Sequence, residues 1–533
     1  MNRLFFLLSG FFSLLLLAAD ASLSKADAEI KLTVYGAAGE VSGACNLIQF
    51  DKTRFLVDCG LFYPFGEGDA QQREARSDAA NNKRFDFDVN SINALFLTHA
   101  HLDHVGRLGH LLDAGYKGTI YCSGATRDLL YAVASNSISM EKTRTRNWYY
   151  SVRDRSKESQ KYISVHWNPN CKYGKQIAPK NQAQCTGNKA ELEKVMKFKK
   201  SKFRLCRTCS ETEAQDIVSK IQPVEYNKPI LVNGVNVTFY PARHIPGSSS
   251  ILFDNSQKRV LFSGDIGPKA SDHLPGTDVA PAADMVIVEG TYGSVTRSDN
   301  PADCAENFQK SVGKIAGQGG IALIPSFALD RSQRILEQIR LGKKSGLIPL
   351  SCPVYLYSPS AQRYVALYEE HSEDSNWFSE KTLRDSLAYK FSDVIQKKYL
   401  LKEFPRPAII VATSNSLGDS FSGDVYQRIK GDSRSGVFFI GYQAEESEGR
   451  QVRDNQFPEN KRPACEIYTF NCFSGHADSQ EIDRWLSGQS EKTVIVLVHG
   501  DAQALSQRRV QRLAIPGTSR KVFVAQPGNS LAL

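Results

Sequence analysis

Three histidines and an aspartate crowd into the run THAHLDH: His99, His101, Asp103 and His104. Histidine is otherwise scarce, ten in 533 residues, and four of the ten fall between His99 and His110. Neutral imidazole and carboxylate are good ligands for Zn²⁺ at about 2.0–2.2 Å. On a turn after a strand, residues two apart project to the same side. His99 and His101 can therefore hold one ion while Asp103 and His104 face a neighbouring one. Three further residues share one context, a polar side chain at the end of an apolar strand. They are His244 after VTFYPAR, Asp265 after VLFSG and His499 after VIVLV. Strand ends opening onto loops are where α/β sites are generally built. The seven residues would complete two sites. His99, His101 and His244 would take one ion, Asp103, His104 and His499 the other, and Asp265 would bridge them. Two ions about 3.5–4 Å apart stabilise the attacking and leaving oxygens of a phosphoryl transfer and activate a water near neutral pH.

The elements that must position these residues are legible in outline. From Ile30, short apolar runs separated by Gly or charge (KLTVYGAAGE, CNLIQFD, RFLVDCG) read as consecutive strands. Residues 61–90 are polar and irregular and read as a loop. INALFLTHAHLDH is a buried strand ending in the ligand-bearing turn, GRLGHLLDAGY has helical spacing, GTIYCS is a strand, and 125–140 reads as a helix. Strand patterns resume at PILVNGVNVTFYPAR, SSILFD, RVLFSGD and DMVIVEGTYG. Between 300 and 465 the texture changes: helical runs at 302–316 and 331–345 alternate with GIALIPSF, PVYLYSP, PAIIVATS and GVFFIGY. That alternation predicts a parallel α/β sheet. The chain then returns to its first texture with CEIYTFNCFSGHADSQEIDRWL, TVIVLVHG and KVFVAQPG.

HxHxDH followed by a strand-end His and then SGD resembles the metallo-β-lactamase superfamily. Later motifs narrow the resemblance to its β-CASP nucleases: Glu289 in VEGTYG, His476 in FSGHAD and His499 in VHGD, supported by PSFALDRSQ at 325–333 and GYQAEESEGR at 441–450. The resemblance runs from about Ile30 to the C-terminus. It implies an α/β fold, an αββα sandwich split in sequence, with a Rossmann-like β-CASP domain inserted and the zinc pair in the cleft between them. The expected parts are 30–295 and 466–533 for the sandwich and 296–465 for the inserted domain. It also implies roles. Asp58, at the end of RFLVDCG, would orient ligands and water; His476 would protonate the leaving ribose oxygen; Glu289 would orient His476. Arg331, in PSFALDRSQ, is a candidate RNA contact. Three departures stand out: Arg243 before His244 where the family usually has Gly, ATSNSL at 412–417 in place of a Gly-Met-type loop, and VHGD for VHGE. None removes a ligand.

DNA-processing β-CASP relatives of the Artemis type typically lack the last histidine, so His499 points to RNA. With 34 residues after His499, the extra dimerisation domain of ribonuclease J is not expected. The layout is similar to the short prokaryotic β-CASP ribonucleases and the pre-mRNA 3′-end endonuclease. The expectation is a ribonuclease using two Zn²⁺. Its rivals are a hydrolase of DNA or another ester on the same fold and a non-catalytic nucleic-acid-binding protein. A second copy of the chain is a candidate partner.

Composition agrees with such a chain. Apolar residues make up 41% and charged residues 23%, which excludes disorder, collagen-like repeats and a polytopic membrane protein. The length gives a prior of about three domains. The net charge of +9 is uneven: residues 142–207 carry 18 Lys/Arg against 4 Asp/Glu, net +14, leaving −5 for the rest. That segment interleaves its cations with Trp148, Tyr149, Tyr150, Tyr162, Trp167, Tyr173, Phe198 and Phe203. Cations for phosphates and aromatic faces for bases are the ingredients of single-strand binding. Lys197, Lys199, Lys200, Lys202 and Trp148 are the candidate RNA contacts there; a solvated surface excursion is the bland alternative. Its four cysteines, Cys171, Cys185, Cys206 and Cys209, read as two disulfides before a zinc site, with pairing open. The remaining cysteines, scattered among apolar neighbours, read as buried thiols.

Residues 1–21 have the form of a secretory signal peptide: Arg3, an apolar run over 4–19, and small residues at Ala19-Asp20-Ala21. Export to a periplasm or the outside is the expectation, ahead of a cytoplasmic location; an uncleaved membrane anchor is the alternative reading of the same run. No later stretch approaches the ~20 apolar residues of a spanning helix, so no stable membrane association is expected after cleavage.

Overall fold

Alternate residues of the strand Ser249–Asp254 look to opposite sides. Phe253 points into one buried cluster and Leu252 into another, which places this strand inside a layered fold. The computed structural model describes residues 30–63, 83–134, 217–397, 401–418, 420–441, 447–459, 462–513 and 521–532. It adds single residues or short pieces at 72, 76–77, 79–81, 215 and 443, and the strands Val165–Trp167 and Ile177–Pro179. The leader and nearly all of the basic segment lie outside these residues, with Trp148, Lys197, Lys199, Lys200, Lys202 and the four cysteines 171, 185, 206 and 209.

Two seven-stranded sheets form the sandwich. The first runs in the order Ser530–Ala532, Ile30–Gly36, Cys45–Phe50, Thr53–Val57, Ala94–Phe96, Thr119–Ser123, Ile221–Val224. The second runs Val522–Val524, Val494–Val498, Met285–Glu289, Arg259–Phe262, Ser249–Asp254, Val235–Pro241, Ile230–Val232. Their inner faces share one core, in which Phe253 stacks on Phe55 at 5.7 Å and meets Phe96 edge-on at 5.1 Å. Truncating a side chain such as Phe253 to Ala would cost about 3–5 kcal/mol. Helices cover the outer faces. Ile482 and Trp485 of Ser479–Trp485 and Leu505 of Ala502–Leu513 lie on the second sheet, and Leu108, Leu111 and Leu129 on the first. Each sheet takes strands from before and after the inserted domain, so the αββα sandwich is split in sequence.

The third sheet has six strands in the order Val394–Lys397, Val354–Tyr357, Ala408–Ala412, Ile321–Pro325, Gly436–Phe439, Glu466–Thr469. All its pairings are parallel, and helices cover both faces. Its first helix, Pro301–Gly317, starts where the sequence dictates. Asn300 caps the amides of Ala302 and Asp303, Pro301 takes the first turn, and Cys304, Phe308, Val312 and Ile315 form the buried stripe.

Three expectations are corrected here. Glu466–Thr469 pairs with Gly436–Phe439, so the inserted domain's sheet extends past 465 and the sandwich resumes only after it. The ladder overrides the local strand texture, which resembles the sandwich strands. Residues 61–90 are not uniform loop: 76–77 and 79–81 are helical, and Asn81 fastens them by bonding both the amide and the carbonyl of Phe62. Cys304 and Cys472 are not buried thiols but a disulfide; partners 168 residues apart leave no local signal. Cys45, Cys59, Cys122, Cys352 and Cys465 are free and buried, as read. The helix expected at 125–140 is present over the described residues 124–134.

Candidate metal centre

The edge of the sandwich where strands end gathers all seven sequence-selected ligands. Asp58 follows Thr53–Val57, His99 follows Ala94–Phe96, His244 follows Val235–Pro241, Asp265 follows Arg259–Phe262, and His499 follows Val494–Val498. The helix Leu102–Val105 carries Asp103 and His104. Several turns here are left-handed, at Asp58 (φ 64°), Gly264 (φ 57°) and His499 (φ 52°). At Gly264 a Cβ would lie 2.8 Å from the Ser249 carbonyl oxygen, so only glycine fits the turn that delivers Asp265. Strained conformations of this kind persist where surrounding structure over-determines them.

The ligand atoms include the two expected groups, and a third grouping sets His476 beside Asp265 and His499. His99, His101, His244 and Asp265 lie together, as do Asp103, His104 and His499. His244 Nε2 is 3.0 Å and His99 Nε2 3.1 Å from His101 Nδ1, and His104 Nε2 is 3.3 Å from His499 Nε2. Asp265 stands between the groups. Its Oδ2 is 3.5 Å from both His99 and His244, and its Oδ1 is 3.3 Å from His104 and 3.6 Å from His499. Asp265 is buried, and its Oδ1 makes no hydrogen bond. A tetrahedral ion with bonds of about 2.0–2.2 Å holds its ligand atoms about 3.3–3.6 Å apart. The spacing, the converging imidazole nitrogens and the orphaned carboxylate oxygen all fit cations at these two places.

Neighbouring groups orient the rings. Asp58 accepts from the Thr98 amide and hydroxyl, and its Oδ2 lies 2.8 Å from His104 Nδ1. That leaves His104 Nε2 facing Asp265, the kind of outer partner that fixes a ligating histidine. The Gly475 carbonyl can only accept, so His244 Nδ1, 2.7 Å away, carries the proton and Nε2 carries the lone pair. Burial pushes His99 and His244 well below their ordinary pKa, keeping them neutral as ligands must be. At His104 burial acts the same way, but Asp265 and Asp58 outweigh it and hold the pKa well above the usual value.

His476 sits at the rim of this centre. Its Nδ1 is 3.0 Å from Glu289 Oε2, and its ring centroid is 4.6 Å from that of His244. Its side chain is 20% exposed whereas Glu289 is 1% exposed, so the imidazole can meet a ligand while its carboxylate partner cannot. Burial opposes the charged imidazole, but Glu289 outweighs it and raises the pKa. The loop holding His476 is fastened from several directions. Arg297 donates to the His476 carbonyl at 2.9 Å, and Tyr292 OH to Ser474 Oγ at 2.8 Å. Arg334 donates to the Ser474 carbonyl at 3.2 Å, and Arg331 to that of Phe473. Arg331 is thus built into this loop. Arg243 stands at φ 62°, where glycine is favoured, and its guanidinium is 2.9 Å from Asp278. The sequence motifs do not single out Thr98, Gly475, Arg297, Arg334 or the Cys304–Cys472 bridge. Thr98 adjoins the histidine run, which was a usable signal; the others act through backbone atoms or across long separations, which leave none.

Three family profiles match the chain in order: "Metallo-beta-lactamase superfamily" over residues 38–301, "Beta-Casp domain" over 334–452 and "Zn-dependent metallo-hydrolase RNA specificity domain" over 462–510. The chain belongs to the β-CASP group of the metallo-β-lactamase superfamily. Among similar β-CASP proteins, ribonuclease TTHA0252 of Thermus thermophilus is 27% identical over 494 residues, covering 89% of this chain and 94% of that protein. Transcription termination factor FttA of Methanosarcina mazei is 26% identical over 502 residues, covering 90% of this chain and 68% of the factor. A crystal structure of a protein of unknown function from Enterococcus faecalis shares the fold at 12% identity, with a TM-score of 0.52 over 95% of this chain and all of that one. Among the described residues, no helix of this β-CASP protein is long and apolar enough to cross a membrane.

Proposed function

We propose that this chain is a zinc-dependent ribonuclease that hydrolyses phosphodiester bonds of single-stranded RNA. Family membership supports the coarser reading, a metal-dependent nuclease that binds RNA. The observation that carries the finer one is Asp265, whose two oxygens face two separate histidine groups. His99, His101 and His244 would hold one ion, Asp103, His104 and His499 the other, with Asp265 available to either. Zinc bound there would supply Lewis-acid charge at the phosphoryl oxygens and make a water available as nucleophile near neutral pH. Asp58 keeps the proton on His104 Nδ1 and so keeps Nε2 directed inward. His476, with Glu289 holding its Nδ1, presents a proton on Nε2 to the leaving ribose oxygen. The basic, aromatic segment 142–207 supplies cations and stacking faces for an unpaired strand.

Export also belongs to this reading. The leader pattern over 1–21 and the Cys304–Cys472 disulfide both suit an oxidising compartment. A second copy of the chain is a partner to be tested by the solution mass. The deciding experiment incubates the purified protein with end-labelled RNA, DNA of the same sequence and a generic phosphodiester, with and without chelator. Chelator-sensitive cleavage of RNA in preference to the other two is expected; cleavage of DNA alone, or binding without cleavage, overturns the assignment. Sequencing the mature N-terminus after cell fractionation tests export.

A further inference from the structure

The inserted domain is stapled where it begins and ends. Cys304 lies in its first helix, Pro301–Gly317, and Cys472 lies just beyond its last strand, Glu466–Thr469. Their bridge closes 168 residues of separation, almost the whole domain, and both cysteines are buried. Cys472 belongs to the 3₁₀ turn Asn471–Phe473, from which the chain runs through Ser474 and Gly475 to His476. The same helix packs noncovalently against this turn: Phe308 meets Phe470 edge-on at 5.4 Å and Phe473 at 5.1 Å. Downstream, the Gly475 carbonyl holds His244 and the His476 ring pairs with Glu289.

We infer that the Cys304–Cys472 disulfide is a positioning tether for His476: it fixes the exit of the inserted domain so that the next turn holds the imidazole against Glu289. The inference rests on reading His476 as the proton donor. Cys304 and Cys472 touch no reacting atom and act through the 471–476 turn. The other fasteners of this loop are hydrogen bonds and ring contacts, which break and reform singly; the bridge alone makes the register of residue 472 against the helix covalent. Opening it takes two electrons, which a dithiol reductant supplies. A thiolate of the dithiol attacks one sulfur, its second thiol closes into a cyclic disulfide, and two electrons and two protons end on the Cys304 and Cys472 thiols. The oxidised form is then the competent enzyme, in keeping with an exported protein.

The test compares oxidised wild type, wild type reduced with a dithiol under native conditions and then reoxidised, and Cys304→Ala/Cys472→Ala. Thiol counting, zinc content, hydrogen exchange of residues 466–478, and kcat and KM on RNA are read for each. Loss of the bridge should speed exchange in 471–478 and lower kcat about tenfold or more, since a misplacement of about 1 Å can cost 10²-fold. Zinc content should hold and KM should move little. Reoxidation should restore slow exchange and kcat together, which keeps the test valid should the double variant fail to fold. Unchanged exchange at 471–478, or a kcat that survives loss of the bridge, overturns the tether, as does finding both thiols free in the unreduced protein. Oxidised wild type with zinc bound but no RNA cleavage overturns instead the reading of His476 on which the tether rests.

Discussion

Glu289 and His476 are 187 residues apart in sequence, yet Glu289 Oε2 and His476 Nδ1 stand 3.0 Å apart. Glu289 ends a central strand of the second sheet, whereas His476 arrives on a turn from the inserted domain. The Glu289–His476 pair is therefore assembled from two parts of the chain, while the histidine–aspartate cluster lies on the sandwich edge. The two should separate by mutation.

His476→Ala should retain its metal and lose about 10²–10⁴-fold in kcat, the usual contribution of a positioned proton donor. Metal analysis and single-turnover cleavage on the same preparation check this. Loss of zinc would make His476 a ligand instead.

Asp265→Ala should behave in the opposite way. Removing the one carboxylate that faces both histidine groups should drop bound zinc from about two per chain to one or none, with RNA cleavage lost alongside. A variant with full zinc content would show that Asp265 is not shared.

Arg297 holds the His476 carbonyl and also reaches Glu481, whose side chain closes a capping box with Asp478 at the start of the next helix. Arg297→Ala removes charge-assisted bonds worth about 1.5–3 kcal/mol each to charged partners, so a loss of a few kcal/mol is expected. Chemical denaturation measures it. An unchanged midpoint would mean that the capping box alone organises this helix start.

Asp330 couples stability to pH across the contact between sandwich and inserted domain. Its Oδ1 accepts from Tyr368 at 2.9 Å and lies 3.4 Å from His273 Nε2. Burial opposes its charge, but His273 and Arg334 outweigh that and hold the carboxyl well below the usual range. A depressed carboxylate contributes stability that is complete above the unfolded pKa of about 4 and is lost as pH falls through the folded value. The stability gap between wild type and Asp330→Asn should therefore be widest near pH 7 and narrow below about pH 4. A gap that widens on acidification would refute this.

Replacing Lys197, Lys199, Lys200 and Lys202 together with Ala should weaken RNA binding and flatten its salt dependence, because fewer counterions are released. Trp148→Ala should cost about 1–3 kcal/mol of binding where a base stacks. Turnover at saturating RNA should barely change. Binding isotherms over a salt series read both; unchanged affinity and slope would make the segment a solvated excursion.

The ligand set was legible because its chemistry is local. Three histidines and an aspartate within THAHLDH have few other uses, and strand-end polar residues such as Asp265 and His499 break apolar runs conspicuously. The alternation of helices and strands in the inserted domain was equally plain, since period and burial are written into contiguous residues. Tertiary structure decided what depends on distant partners. Whether Glu466–Thr469 joins the sandwich or the inserted sheet is settled by a ladder to Gly436–Phe439, not by its own sequence. Whether Cys304 is a thiol or half of a bridge depends on Cys472 arriving beside it. The carbonyl of Gly475, which fixes the tautomer of His244, has no residue type to announce it. Side-chain chemistry declares itself residue by residue, whereas backbone acceptors and long-range pairings exist only once the chain has closed on itself.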